Sequence, residues 1–276
     1  MELTLPLLGK VYLINLILLS LRYMVFSGIA YFVFWVWKKE KFLPHRIQKK
    51  FPNSEKIFDE IKYSFSTFLI FSCVGVGIFT ARRLGFTKIY TEINEYGYTY
   101  FIFSIVAALL IHDAYFYFAH RLMHHKFLFK TFHSVHHNST NPSPFAAFSF
   151  HPLEAILEAG ILPILVFTIP LHPLAIVTFL LFMTGLNVLG HLGVELYPSN
   201  FVTGKWTAWN NTSFHHNMHH QKFNCNYGLY FNWWDKLFNT NHKDYIKEYV
   251  RTTELRDSEL QNNNLPMKEE NLVIKT

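Results

Sequence analysis

The chain contains little cysteine and little charge for its length. Its 276 residues include two cysteines, which excludes a disulfide-stapled scaffold and a cysteine-rich zinc module. Only 16% of the residues are charged, whereas a soluble domain averages about 25%. Half of the residues are apolar, so the chain is not disordered. Together these values argue against an ordinary soluble enzyme.

A long basic tract interleaved with aromatic residues is also missing, although the formal net charge is +6. Lysine and arginine lie mostly between apolar runs, where membrane topology accounts for them better than nucleic acid does. We therefore expect no nucleic-acid partner.

Long apolar runs dominate what is present. A helix needs about 20 mostly apolar residues to cross a bilayer. The candidate runs are 11–37, 63–81, 96–111 with its continuation through 119, and 159–194. The last is too long for one span and has three prolines near its middle, so it predicts a hairpin of two short spans. A chain of this size cannot bury four such runs. The sequence therefore predicts an all-α, multi-pass membrane bundle with five crossings.

The positive charges predict an orientation and a division of the chain. Residues 38–50 hold six lysines and arginines, which places them on the cytoplasmic side. Counting crossings puts the later histidine-rich windows and the C-terminus on that side too, although Arg82 and Arg83 then lie on the opposite side. We expect a membrane anchor with its linker (1–99), a catalytic region (100–242) and a charged cytoplasmic tail (243–276), loosely ordered from residue 252. The membrane is either a bacterial inner membrane or the endoplasmic reticulum.

Histidine is the most informative residue type. Eleven of the 16 histidines fall within 112–137 and 215–220, at helical spacings. One helical turn supplies two metal ligands at i, i+3 or i, i+4, and imidazole suits iron, zinc, copper and nickel. The predicted ligands are His120, His124, His133, His136, His137, His191, His216, His219 and His220. Nine imidazoles exceed one tetrahedral site and suit two metal ions. Iron is the better candidate for redox chemistry because zinc has none, although zinc can load on overexpression.

The remaining histidines are assigned other roles. We interpret His45, His172 and His242 as structural and His112 as a packing or ligand-orienting residue. His125 and His215 each lie one residue from a predicted ligand, about 100° around a helix, and are left out of the site. A metal-buffering tract is disfavoured because phenylalanine, leucine and tyrosine interrupt both windows.

The order and spacing of the histidines carry a resemblance. The pattern H-x3-H, H-x2-H-H and H-x2-H-H resembles that of the fatty acid hydroxylase/sterol desaturase superfamily of integral-membrane di-iron oxygenases. The matching flanks are Asp113, Arg121, Pro142, Pro144, His151-Pro-Leu-Glu154, Asn226-Tyr227-Gly228 and Trp234-Asp235-x-x-Phe238-x-Thr240. The resemblance covers roughly 100–240. Asn239 replaces a usual glycine, and asparagine tolerates positive φ. Asn187 replaces a histidine of the fatty acid 2-hydroxylase branch, so water or an amide is expected to complete the ligand set.

The resemblance implies a membrane di-iron oxidoreductase. Such an enzyme uses O2 and two electrons from an external donor (cytochrome b-type, ferredoxin or reductase) to hydroxylate or desaturate a C–H bond of a bilayer lipid. Sterol, fatty acyl chain, sphingoid base and carotenoid all stay open as substrates. Asp113 and Glu154 are the predicted catalytic residues, each accepting the second N–H of a ligand histidine. Alternatively, Asp113 is a helix-end charge at the interface and Glu154 stabilises the start of the following helix. Tyr227 and Trp234 are interpreted as packing residues.

Two other functions fit a histidine cage. A zinc-dependent membrane hydrolase requires a carboxylate base beside the metal, and none lies inside the histidine motifs. A non-enzymatic transporter or sensor places ionisable residues within the spans, whereas these histidines cluster at the predicted cytoplasmic ends.

Overall fold

The computed structural model describes residues 2–264, which are mainly helical and contain no β-strand, only isolated bridges. The helices are α1 (Leu5–Tyr31, continued by a π-helical segment, Phe32–Trp37), α2 (Lys39–Phe42), α3 (Ser54–Arg83), α4 (Gly97–Met123), α5 (Phe129–Phe132), α6 (Pro152–Ala159), α7 (Ile161–Thr168), α8 (Pro173–Gly190), α9 (Ser213–Lys222), α10 (Trp233–Leu237) and α11 (Tyr245–Asn264). Short 3₁₀ segments occupy Ile93–Glu95, His136–Asn138 and Pro144–Phe148. The predicted all-α architecture is confirmed.

Four helices are long and apolar enough to cross a membrane. They are α1 with its π-helical extension, α3, α4 and α8, and they coincide with the predicted runs. Large apolar side chains along them face outward, as expected for a lipid-facing surface. The multi-pass membrane protein is therefore confirmed, while the count of five crossings and the cytoplasmic orientation stay predictions.

The first arm of the predicted hairpin differs from the expectation. Its helix α7 has only eight residues, and the equally short α6 ends at Ala159, where the predicted arm begins, with Gly160 between the two helices. Pro163 has no N–H for the carbonyl of Ala159, four residues earlier, so a continuous helix would lose a hydrogen bond there. Of the two predicted arms, which both lie within the described residues, only the second, α8, is long enough to span a membrane.

The segment after residue 252 is also more ordered than predicted. Residues 245–264 form α11, and Tyr245, Tyr249, Thr253 and Arg256 are buried. These positions follow a helical spacing of i, i+4, i+8 and i+11, which the high charge of the segment obscured. Arg256 donates to the carbonyl oxygens of Glu195 and Tyr197. The prediction of a loosely ordered tail was therefore wrong for residues 252–264. The rest of the predicted tail, 265–276, lies outside the described residues.

The N-terminal helices hold the loop that follows the second histidine motif. The Tyr23 hydroxyl in α1 and the Ser64 hydroxyl in α3 both donate to the Phe145 carbonyl, at 2.9 and 3.1 Å. The Glu60 carboxylate in α3 accepts from the backbone N–H (3.3 Å) and the hydroxyl of Ser143. Gln48, in the basic linker, donates to the Thr140 carbonyl. The linker and the histidine motifs therefore lie at the same end of the bundle.

Replacing Ser143 with alanine is expected to lower stability. Glu60 is only 1% exposed and keeps the bond from the Ser143 backbone N–H, so loss of the hydroxyl bond alone is expected to cost about 0.5–1.5 kcal/mol. The measurement is the thermal unfolding midpoint of the purified protein in detergent. Ser134→Ala is the matched control because the Ser134 hydroxyl bonds only the local Lys130 carbonyl. Equal midpoints for the two variants would contradict this role of Ser143.

Candidate metal centre

The structure brings all nine predicted ligands together and divides them into two groups. Within each group the candidate ligand atoms lie within 4.8 Å of one another. The five-histidine group consists of His120, His124, His133, His137 and His219, and the four-histidine group of His136, His191, His216 and His220. The arrangement offers two adjacent metal sites, and the assignment of each residue as a ligand stays a prediction.

The helical spacing decides which histidine joins which group. Residues four apart lie on one face of a turn, and each such pair shares a group: 120 with 124, 133 with 137, and 216 with 220. The middle histidine of each H-x2-H-H motif, His136 or His219, joins the opposite group. His191, at the end of α8, completes the four-histidine group. Each motif with three histidines therefore links the two sites.

Distances between ring nitrogens fit ligands around a metal ion. In the four-histidine group, Nε2 of His191 lies 2.9 Å from Nε2 of His216 and 3.3 Å from Nε2 of His136 and of His220. In the five-histidine group, Nε2 of His137 lies 2.9 Å from Nε2 of His219 and 3.1 Å from that of His124. Metal–nitrogen bonds of about 2.05 Å separate neighbouring ligands by about 2.9 Å at right angles and about 3.3 Å at tetrahedral angles.

Acceptors hold five of the nine outward ring nitrogens, which fixes the tautomer of those five rings. The Nδ1–H groups of four rings donate to backbone carbonyls: His120 to Tyr227 (2.9 Å), His136 to Ser149 (3.3 Å), His191 to Asn187 (2.9 Å) and His219 to Cys225 (2.6 Å). Each Nε2 then carries a lone pair directed at the cluster. The facing lone pairs of His136 and His191 repel each other unless a cation lies between them, so the donor set suits a metal.

Burial keeps these imidazoles neutral. Eight of the nine are buried, and His124 is partly exposed. Burial and the charge that neighbouring protonated rings would impose lower the pKa of His133, His137, His216 and His220 well below the ordinary value. Metal binding requires the neutral ring. The buried Nε2 atoms of His120 and His133 have no hydrogen-bond partner in the protein. Both belong to the five-histidine group, so these nitrogens are free to bind a metal ion.

The two predicted catalytic carboxylates occupy different positions. Glu154 Oε1 lies 2.6 Å from Nδ1 of His133, so Glu154 orients a predicted ligand rather than only stabilising the start of α6. Asp113 accepts hydrogen bonds from the backbone N–H groups of Tyr230 and Phe231, at 2.8 and 3.2 Å. Asp113 does not receive a ligand N–H as we expected, because the side chain is engaged by the turn after Tyr227.

We expect Glu154→Gln to weaken metal binding. Glutamine replaces the carboxyl group that bonds His133 with an amide, and changes to such supporting residues lower metal affinity about 10–100-fold. Competition with a chelator of known affinity measures the effect. Glu158→Gln is the matched control, since Glu158 is a buried carboxyl on the same helix with no hydrogen bond to a ligand histidine. Equal affinities for the two variants would remove Glu154 from the supporting role.

A second carboxylate, which the sequence indicated only as part of a flanking motif, supports the site through the backbone. Asp235 accepts from the backbone N–H groups of Tyr227 (2.9 Å) and Gly228 (2.7 Å) and from the Thr240 hydroxyl (2.6 Å). The Tyr227 carbonyl in turn accepts from His120. A Cβ on Gly228 would lie 2.8 Å from Asp235 Oδ2, which explains the glycine of the Asn-Tyr-Gly motif.

The departures from the family pattern also have structural outcomes. Asn239, at the usual glycine position, has φ 53°, so the positive-φ turn is retained. Asn187 donates through its side-chain amide to the Ala147 carbonyl at 2.6 Å, so that nitrogen is engaged away from the four-histidine group.

The histidines that we excluded lie outside both groups. His215 contacts the Asp235 carboxylate at 3.4 Å, His112 bonds the Tyr230 hydroxyl at 2.8 Å, and His125 is exposed. His172 bonds the Thr91 carbonyl at 2.9 Å.

These features define the class: a multi-pass helical membrane protein with a cluster of neutral histidines able to hold metal. The sequence pattern of the family described as "Fatty acid hydroxylase" matches residues 105–240. The chain belongs to the fatty acid hydroxylase/sterol desaturase superfamily, as the sequence motifs indicated.

Curated relatives extend the similarity over most of the chain. A delta(7)-sterol 5(6)-desaturase of Schizosaccharomyces pombe is 30% identical over 93% of this chain and 71% of its own length. A delta(7)-sterol 5(6)-desaturase of Gibberella zeae is 29% identical, covering 71% of this chain and 61% of the relative. Human lathosterol oxidase is 29% identical, and the alignment covers 75% of this chain and 66% of the relative. The last two alignments span slightly less than two thirds of the relatives. No solved structure gives a significant match.

Proposed function

We propose that this protein is an O2-dependent di-iron oxidoreductase that desaturates or hydroxylates a C–H bond of a membrane lipid. A sterol-like substrate and desaturation are favoured, because the similar proteins are named as sterol desaturases and lathosterol oxidases. The division of nine histidines into groups of five and four carries the proposal.

The chain's own groups prepare this site. Two bound iron ions would supply the redox chemistry that lets O2 and two electrons oxidise an unactivated C–H bond. Carbonyls of Tyr227, Asn187 and Cys225 keep the ligand tautomers fixed. Burial of the imidazoles excludes bulk water from the reacting centre. The ligands His120 and His191 lie at the ends of the apolar helices α4 and α8, where a bilayer lipid can reach the site.

The electrons must come from an external donor, of the cytochrome b-type, ferredoxin or reductase class. Desaturation consumes one O2, two electrons and two protons, removes two hydrogens from the lipid and forms two waters. Hydroxylation consumes the same reagents and forms one water and an alcohol. We propose that the site faces the cytoplasm, because the lysine-rich linker at the same end of the bundle favours that side.

The alternative functions fit the site less well. A hydrolase requires a carboxylate base beside a metal-bound water, whereas Glu154 contacts the outward nitrogen of His133. The names of the relatives likewise favour an oxidoreductase over a hydrolase.

Labelled oxygen tests the proposal. Membranes containing the protein are incubated with a reductase system, a sterol-containing lipid extract and ¹⁸O₂, and the products are analysed by mass spectrometry. We expect either loss of two hydrogens without label, which identifies desaturation, or label in a new hydroxyl, which identifies hydroxylation. Samples without O2 and a His136→Ala variant should yield neither product. A lipid product that forms in equal amount without O2 would contradict the proposal of an O2-dependent oxidoreductase.

A further inference from the structure

The two groups are not equally enclosed. All members of the four-histidine group are buried, whereas His124 in the five-histidine group is partly exposed. Two half-buried rings, Phe129 and Phe223, lie beside this point. The ring centroid of Phe129 is 5.3 Å from that of His124 and 5.6 Å from that of His137. The Phe223 ring is 4.7 Å from His137 at an interplanar angle of 33°.

The two rings also contact each other. Their centroids are 5.8 Å apart at 76°, an edge-to-face pair that is favoured between aromatic side chains. We call this pair, Phe129 with Phe223, the aromatic cover. The exposed residues close to it in sequence include Phe127 and four polar or charged ones: Lys126, Lys130, Lys222 and Asn224. Lysines are costly in the lipid interior, so the three exposed lysines place the aromatic cover toward the aqueous side.

Phe223 holds its position through an unusual backbone conformation. Its dihedrals are φ 68° and ψ −44°, a region that bulky side chains rarely adopt. Hydrogen bonds close the turn on both sides, from Phe223 N–H to the His219 carbonyl (2.7 Å) and from Asn224 N–H to the Lys222 carbonyl (2.8 Å). The second bond spans two residues and makes a γ-turn of the strained kind.

The direction of the ring explains this turn. Phe223 directly follows α9, which supplies His219 to the five-histidine group. The left-handed turn brings the ring over His137, while the neighbouring Lys222 and Asn224 stay exposed. Strained backbone persists where surrounding contacts stabilise it, and it occurs preferentially at functional sites.

We infer that the aromatic cover of Phe129 and Phe223 controls exchange of water and small solutes between the aqueous side and the metal of the five-histidine group. This inference rests on the proposed di-iron site. The strained backbone at Phe223 disfavours the conformation that places the ring over His137. The contacts of the ring with His137 and Phe129 therefore have to stabilise that conformation. Removing either ring opens the group to water and leaves the buried four-histidine group unchanged.

Metal release to a chelator tests the inference without any activity measurement. The purified full-length protein is loaded with Fe²⁺ in nanodiscs and mixed with a water-soluble, membrane-impermeant Fe²⁺ chelator. Phe129→Ala and Phe223→Ala should each release one of two irons about tenfold faster than the unaltered protein, the factor that corresponds to ~1.4 kcal/mol of lost packing. The second iron should leave at the unaltered rate. Phe223→Tyr, which keeps the ring, should retain the slow release.

Two further variants control for folding and for general effects. Phe127→Ala removes a ring that is 75% exposed and contacts His125 instead of a ligand, so its release rate should not change. Phe223→Gly removes the ring at a position where glycine adopts the backbone conformation without strain; it should fold and release one iron as fast as Phe223→Ala.

The outcomes separate the inference from the proposed function. If Phe129→Ala and Phe223→Gly each bind two irons and release both at the unaltered rate, the inference about the aromatic cover is overturned and the proposed function is not. Equal acceleration for both irons would also overturn the inference, because that indicates general loosening of the protein. A correctly folded protein that binds no metal would overturn the proposed function and the aromatic cover together.

Discussion

Replacing His191 with alanine is expected to release one of two metal ions and to abolish lipid oxidation. The four-histidine group then keeps only His136, His216 and His220, whereas the five-histidine group keeps all its members. Loss of a residue that merely supports a ligand already lowers metal affinity or activity about 10–100-fold, so loss of a ligand should cost at least about 100-fold. Metal analysis of the purified protein, together with the labelled-oxygen assay, measures both effects.

The unequal groups give this experiment an internal comparison. His124→Ala leaves four histidines in its group, so at saturating iron it should still bind two ions, with weaker affinity for one. His125→Ala and His172→Ala should change neither metal content nor activity, because these residues lie outside both groups. Two ions retained in His191→Ala at limiting iron would remove His191 from the metal centre.

Replacing Asp235 with alanine is expected to cause the largest loss of stability. The carboxylate is fully buried, accepts two backbone N–H groups and the Thr240 hydroxyl, and lies 3.4 Å from Nε2 of His215. Removing one member of such a buried charged network costs about 3–5 kcal/mol. Iron affinity should fall as well, since the freed Tyr227 segment no longer holds His120. Chemical unfolding in detergent and iron titration measure the two effects.

The pH dependence provides a separate check on Asp235. Burial alone would raise the pKa of the carboxyl, but His215, the Thr240 hydroxyl and the Gly228 N–H together outweigh burial and lower it. A lowered pKa contributes stability that is present above the unfolded value of about 3.9 and is lost as the pH falls through the folded value. The stability difference between the unaltered protein and Asp235→Ala should be constant from about pH 5 to 8 and shrink below about pH 4.

Glu254→Ala, at an exposed position of α11, controls for the loss of a carboxylate. A stability difference from the unaltered protein as large as that of Asp235→Ala would show that burial and the hydrogen bonds of Asp235 are not the cause.

The sequence was sufficient to predict the membrane helices and the histidines that come together. Apolar length determines whether a helix can span a bilayer, and i, i+4 spacing places His120 and His124 on one face whatever surrounds them. The nine histidines converge because three local patterns and His191 lie at the same end of the bundle.

Other features depend on tertiary structure and had no comparable signal. Carbonyl groups orient His120, His191 and His219, and every residue type has a carbonyl. The turn at Phe223 places a bulky residue where local preferences favour glycine, so the sequence gives no indication of it. Asp113 was expected to accept the second N–H of a ligand histidine, whereas the backbone N–H groups of Tyr230 and Phe231 engage the carboxylate.

The contacts from Tyr23, Glu60 and Ser64 to the loop at 143–145 have a consequence for protein engineering. They join the first two membrane helices to the loop that separates the second histidine motif from Glu154. A chimera that fuses residues 100–242 to the membrane helices of an unrelated protein would leave this loop without its three hydrogen-bonding side chains. Helices α1 and α3 therefore have to be transplanted with the histidine motifs as one unit, and exchange of parts between relatives should preserve these three positions.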